Sequence, residues 1–243
     1  MSYKKSNVFL ILFISFIAML FLTFESEALV IDSFDTHQLI TLTSPGILSS
    51  SVTSFSGDIL GNERDIKVQL ISGSGVSVES DLGSFSILDQ SQNSASKAKT
   101  TITWDGIDNS PILNPTGLGG IDITQGGTNN GISINVLFDD LPAGLDILVY
   151  TDSGNWSKYS ISLPGLIFST PQNYSILFSN FITQAGSGAN FSNVGAIELF
   201  INGSLFGGTD MQFDNFVTIV PEPSTLLLIS GALLITLGIR KRK

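Results

Sequence analysis

An all-β fold is predicted by three features of this 243-residue chain. Apolar residues alternate at period two in one segment after another. No convincing 3.6-residue stripe runs between the two ends. The 24 glycines, with many Ser, Thr and Asn, punctuate the alternating runs as turn residues do.

The clearest segment, Ile132 to Phe138, places Ile132, Ile134, Val136 and Phe138 on one face. Leu145 to Val149 repeats the pattern after Asp139-Asp140-Leu141-Pro142-Ala143-Gly144, which is turn chemistry. Further strands are expected at Ile66 to Ser72, Ser84 to Leu88, Lys99 to Trp104, Lys158 to Leu163, Tyr174 to Phe178, Ala196 to Ile201 and Met211 to Ile219. Many short strands with almost no helix make a two-sheet sandwich or a barrel. The roughly 190 residues between the ends suit a jelly-roll-like β-sandwich better than a seven-stranded immunoglobulin domain. With no cysteine, burial and hydrogen bonding alone must hold it.

Both ends read as addresses. Residues 1–28 open on Lys4 and Lys5, run through the apolar stretch Val8 to Leu22 and close on Ser26-Glu27-Ala28, the layout of a secretory signal helix cleaved after Ala28. An uncleaved anchor is the alternative, but a predominantly apolar stretch of fifteen residues falls short of the ~20 that a span prefers. Residues 29–219 form the exported domain. Residues 220–243 form a tail of three parts: Val220-Pro221-Glu222-Pro223-Ser224, a transmembrane helix over 225–239, and Arg240, Lys241, Arg242 and Lys243. The two prolines hold their segment extended, the form in which proteases and transpeptidases take substrates. The apolar run makes a short span of ~21 Å at 1.5 Å per residue. The basic cluster stops transfer and stays cytoplasmic, so both termini point inward and the rest is exported.

This triad closely resembles the PEP-CTERM sorting signal of Gram-negative bacteria. The resemblance covers about the last 24 residues and implies recognition by an exosortase, a membrane enzyme, after handling by signal peptidase and a stay in the inner membrane. It implies delivery to the cell surface or an exopolysaccharide matrix; a plain C-terminal anchor is the alternative. The start Ile31-Asp32-Ser33-Phe34-Asp35 and the end Met211-Gln212-Phe213-Asp214-Asn215-Phe216 resemble the first and last strands of galactose-binding-like and carbohydrate-binding jelly rolls, which pair side by side. Leu60 to Asp65, Trp104-Asp105-Gly106, Gly117 to Asp122 and Asn193 to Leu199 look like segments of a recurrent group of PEP-CTERM proteins without a known activity.

Charge and composition narrow the chemistry. Residues 29 to 223 carry five basic and nineteen acidic residues, a net of −14, more acidic than the −10 of the whole chain. Such a surface repels phosphate backbones, so no nucleic-acid partner is expected. His37 is the single histidine, which removes histidine pairs, triads and the usual zinc sites. No enzyme activity is expected. The remaining catalytic class is a carboxylate-dependent glycoside hydrolase, which needs two acids roughly 5 to 9.5 Å apart.

Two kinds of binding remain. Calcium takes six to eight oxygens in flexible geometry. Asp32 and Asp35 with Asp210 and Asp214 would supply them if the first and last strands pair, and Asp105-Gly106-Ile107-Asp108-Asn109 is a second cluster; solvated turns are the alternative. No other cofactor is expected. Polysaccharide binding usually needs an exposed aromatic platform with polar neighbours. Trp104 shares its parity with Ile102 and belongs to the core. Trp156 shares its parity with Lys158, Ser160 and Ser162, while Tyr159, Ile161 and Leu163 take the apolar face. Trp156, Asn155, Asp152 and Lys158 are therefore the carbohydrate-binding candidates. The expectation is an exosortase-sorted surface or matrix protein that holds polysaccharide, with a purely structural matrix component as the second reading.

Overall fold

Alternating segments become strands where one face meets a second sheet. The computed structural model describes residues 27–167 and 170–221. In chain order the strands are β1 (Val30–Asp32), β2 (Gln38–Leu42), β3 (Gly46–Thr53), β4 (Glu63–Ser72), β5 (Val76–Ser80), β6 (Leu88–Gln92) and β7 (Lys97–Trp104). They continue as β8 (Gly131–Asp139), β9 (Ala143–Asp152), β10 (Asn155–Leu163), β11 (Gln172–Leu177), β12 (Ile182–Ala185), β13 (Ala196–Gly203) and β14 (Met211–Ile219). The first sheet runs β11-β8-β14-β6-β5-β2, with β1 on β14, and the second runs β12-β10-β9-β13-β7-β4-β3. The fold is an all-β, jelly-roll-like sandwich of two antiparallel sheets.

Its core lies between the sheets. Ile66, Val68 and Leu70 of β4, Ile102 and Trp104 of β7, Leu145, Ile147 and Val149 of β9, and Ile197, Leu199 and Ile201 of β13 come from the second sheet. Ile132, Ile134 and Val136 of β8 and Phe213 and Phe216 of β14 come from the first. Their intervening neighbours point outward, as the pleat requires. Trp104 is fully buried and packs 5.1 Å, ring centre to ring centre, from Phe216.

A polar network is buried within this apolar layer at the end where β1 meets β14. Arg64 of β4 is fully buried, with Nη1 3.0 Å from both carboxylate oxygens of Asp32. Its Nε donates to Gln38 Oε1 at 2.9 Å and Nη2 to the Thr36 carbonyl at 2.6 Å. Asp32 also accepts from Trp104 Nε1 at 2.8 Å and from the Phe34 N–H at 2.7 Å. Arg64 and Trp104 stand on the second sheet while Asp32 and Gln38 stand on strands of the first, so the network ties the layers together. Buried charge is tolerated because each partner is multiply bonded.

Two expected segments fold differently. Ser84 to Leu88 is not a strand: Leu82–Ser84 is a 3-10 turn, and the strand starts at Leu88. Asp81, Gly83 and Ser84 take φ values of 56°, 60° and 68°, and Asp81 N–H closes on the Ile87 carbonyl at 2.9 Å. Phe138 is half-buried where the β8 register against β14 shifts between Gln212 and Phe213. Asp139, one residue on, is buried against the 165–167 segment, accepting from the Gly165 N–H at 2.8 Å.

The expected signal helix over 1–28, apart from Glu27 and Ala28, and the expected transmembrane helix over 225–239 lie outside the described residues; of the tail, Val220 and Pro221 are described. Among the described residues no helix is long and apolar enough to cross a membrane.

Candidate functional site

The second sheet turns one face to the core and the other away from it. Register across the sheet aligns Lys158, Leu148, Glu198, Thr103, Asp65 and Ser51 in one outward row. Ser160, Asp146, Phe200, Thr101, Lys67 and Ser49 form the next. Trp156 pairs with Tyr150 at the edge of this face. Its ring stacks on Tyr150 at 5.5 Å between centres and 27° between planes, which leaves the indole half-buried.

Polar groups border the stack. The Tyr150 hydroxyl donates to Glu198 Oε2 at 2.6 Å, and the Thr103 hydroxyl reaches Glu198 Oε1 at 3.4 Å. Burial and then Glu198 raise the Tyr150 phenol far above its usual range, so it stays a donor. Lys158 Nζ lies 3.2 Å from Asp146 Oδ2 at the surface. Further across the sheet, a groove of about 270 Å³ is lined by Ser49, Asp65, Lys67, Thr103 and Glu198 on the strands. Pro111, Ile112 and Leu113 form its opposite wall.

That wall belongs to the segment after β7, which is tied down by carboxylates of the sheet. Glu63 accepts the N–H groups of Asp108 at 3.2 Å and Asn109 at 2.9 Å, and Asp105 Oδ2 accepts the N–H of Asn114 at 2.6 Å. Close backbone approach demands glycine here: a Cβ on Gly117 would lie 1.9 Å from the Asp105 carbonyl oxygen. Leu118 N–H bonds the Gly195 carbonyl at 2.8 Å, and Ile121 and Val194 exchange bonds of 2.9 and 2.8 Å. Segments 60–65, 104–106, 117–122 and 193–199, singled out in the sequence by resemblance, thus converge at one end of the sandwich.

The acids at this end are poorly compensated. One oxygen from each of Glu63, Asp65 and Asp108 lies within 4.8 Å of the others. Burial pushes Asp65 up to about 7, with the Ser51 hydroxyl opposing and the charges of Asp105, Glu63 and Asp108 adding. Burial pushes Asp105 up to about 6, opposed by the Asn114 N–H, with Asp108, Glu63 and Glu198 adding.

Of the carbohydrate-binding candidates, Trp156 and Lys158 occupy the outer face together. Asn155 and Asp152 instead lock the β9–β10 turn. Asn155 Nδ2 lies 3.0 Å from both Asp152 oxygens, while its own oxygen accepts the Ser187 N–H at 3.0 Å. First and last strands do pair, Val30 opposite Val217, yet Asp32, Asp35, Asp210 and Asp214 do not gather round one point. Asp32 is spent on Arg64 and Trp104. Asp210 sits at the far end of β14, accepting the Gln92 N–H at 2.7 Å. Asp35 accepts from Ser33 at 2.6 Å, and Asp214 from Asn215 at 2.6 Å. His37 lies exposed, 3.2 Å from Glu79. Sequence reasoning passed over Tyr150, Glu63, Asp65 and Glu198. The signal for Tyr150 was its parity with Asp146 and Leu148 on β9; the acids meet only through strand pairing.

β14 ends at Ile219 beside β1, so Val220 and Pro221 leave the sandwich directly. From that point, residues 220–243 match the family described as the PEP-CTERM protein-sorting motif. The chain carries a PEP-CTERM sorting motif. The motif implies export, transient anchoring by the C-terminal region and cleavage by an exosortase. It covers 24 residues and leaves the sandwich unassigned. No curated protein matches the chain. Among solved structures, the sandwich of this chain is similar to a family 11 carbohydrate-binding module from Clostridium thermocellum in complex with a β-1,3-1,4-mixed-linked tetrasaccharide. That likeness has 12% identity and a TM-score of 0.37, over 75% of this chain and 95% of the module. It is also similar to TmCBM61 in complex with β-1,4-galactotriose (6% identity, TM-score 0.34, 80% of this chain and 99% of that one). An exo-β-agarase gives 12% identity and a TM-score of 0.40 over 82% of this chain and 25% of its own.

Proposed function

We propose that this PEP-CTERM protein is a non-enzymatic surface or exopolysaccharide-matrix protein that binds polysaccharide on the outer face of its second sheet. The observation that supports the reading is the Trp156–Tyr150 stack, with hydrogen-bonding groups on both sides and a groove continuing past Glu198. A sugar ring presents C–H groups to an aromatic face and hydroxyls to its rim, which is the chemistry such a platform serves. Glu198, whose two oxygens accept from Tyr150 and Thr103, is held in place beside the stack, which supports a role for it as a fixed hydrogen-bonding group at the rim. Signal peptidase and an exosortase are the processing partners, and extracellular polysaccharide is the lasting one. The test is retention of the purified full chain on exopolysaccharide from the producing bacterium. Trp156→Ala should weaken retention about tenfold, as loss of ~1–1.5 kcal/mol of ring contact requires. Equal retention of wild type and variant contradicts the reading, and release of free sugar contradicts its non-enzymatic part.

A further inference from the structure

We propose that Glu63, Asp65 and Asp108, backed by Asp105, form a calcium site that pins the segment after β7 onto the outer face of the second sheet. Two ligands on opposite sides of a calcium ion at ~2.4 Å are ~4.8 Å apart. One oxygen from each of Glu63, Asp65 and Asp108 falls within that span of the others.

Proximity of acids alone makes no site; the state of Asp65 and Asp105 does. Asp65 is 2% exposed, and neither of its oxygens closes a hydrogen bond of normal geometry. Only the Ser51 hydroxyl opposite it on β3 offers relief. Asp105 is 1% exposed, and its Oδ1 has no hydrogen-bond partner. Three buried carboxylate oxygens without hydrogen-bond partners, in the field of neighbouring acids, are costly to keep charged without a cation. Protein cations do not supply it. Lys67 lines the same groove but joins no ion pair among the described residues, where Lys and Arg pair only as Arg64–Asp32 and Lys158–Asp146.

The hard, all-oxygen donor set selects calcium over the softer transition metals. Its placement also explains what the ion would do. Glu63 and Asp65 stand on β4, Asp105 just after β7 and Asp108 on the segment that continues to the Pro111–Leu113 wall. A shared ion would link the sheet to that wall. The site stands on its own residues and needs nothing from the polysaccharide reading.

Calcium titration of the chelator-treated full chain, followed by calorimetry and thermal melting, tests this. Wild type should bind one ion with an affinity on the order of 10⁻⁴ to 10⁻³ M, the range of extracellular modules, and its midpoint should rise by several degrees. Asp65→Asn should lose that rise yet melt no lower than wild type in chelator, because it removes a buried, uncompensated charge. Asp108→Asn, at an exposed position, keeps the test valid if Asp65→Asn misfolds, and it should also lose binding. Asp214→Asn should bind as wild type does. No heat and no shift at about 10 mM calcium, ten times the weakest expected constant, would overturn the proposal. So would binding that survives both Asp65→Asn and Asp108→Asn, or that is lost in Asp214→Asn alone.

Discussion

At the scale of single residues, the two indoles divide stability from binding. Trp104 is fully buried and bonded to Asp32, so Trp104→Ala should cost roughly 3 to 5 kcal/mol. Trp156→Ala gives up contact on one face of Tyr150 and should cost under about 1.5 kcal/mol. Urea unfolding of both variants reads the contrast, and equal losses would place Trp156 in the core. Arg64→Ala strands the buried Asp32 carboxylate and should cost roughly 3 to 5 kcal/mol, with Asp32→Ala added to it recovering part of the loss. Burial pushes Asp139 up to about 6, opposed by the Gly165 N–H and reinforced by Asp140; Tyr174 also feels its charge. The folded chain thus holds this proton more tightly than the unfolded chain. The contribution of this one group to stability is therefore fully present below the ordinary value of 3.8 and is lost as pH rises to about 6. Asp139→Asn keeps an oxygen for Gly165 and removes the charge. Thermal melts should show it more stable than wild type above pH ~6, by up to roughly 3 kcal/mol at ~1.4 per pKa unit, and nearly matched to it near pH ~4.

At the scale of elements, the docking of the 115–123 segment on the start of β13 depends on bare backbone. A Cβ on Gly195 would meet the Pro115 carbonyl oxygen at 2.2 Å and that of Thr151 at 2.7 Å. Gly195→Ala should cost roughly 1 to 3 kcal/mol by overpacking and open residues 105–123 to limited proteolysis; wild-type resistance would show that the segment shifts freely. Legibility of the elements follows from burial. β8, β9, β10, β13 and β14 were readable because each has one face in the core and one outside it. β3 was not, since it is exposed or half-buried along its length and presents no alternation to read. Ser84 to Leu88 alternates in composition, but left-handed backbone at Asp81, Gly83 and Ser84 commits it to a turn, and Phe85 stays exposed. At the candidate site, strand parity sufficed to place Trp156 with Lys158. The meeting of Glu63 with Asp108, 45 residues away, arises from β4 pairing with β7 and has no local signature.

At the scale of the whole molecule, an acidic sandwich closes on itself where β1 meets β14, and the sorting motif begins directly after that closure. The order of parts puts Val220-Pro221-Glu222-Pro223-Ser224 directly after the last strand in the chain. Pro221→Ala with Pro223→Ala should leave export intact and slow processing, because helix can then continue through the segment. Unchanged processing, followed by mass on gels of cell fractions, would count against proline-held recognition. The claim that the outer face holds polysaccharide is tested most directly by tryptophan emission. Trp104 is fully buried in the core, so a titration with exopolysaccharide reports on Trp156. Binding predicts a saturable blue shift in wild type that is absent in Trp156→Phe; an unshifted spectrum through saturation of the polymer, or an equal shift in both proteins, would contradict it.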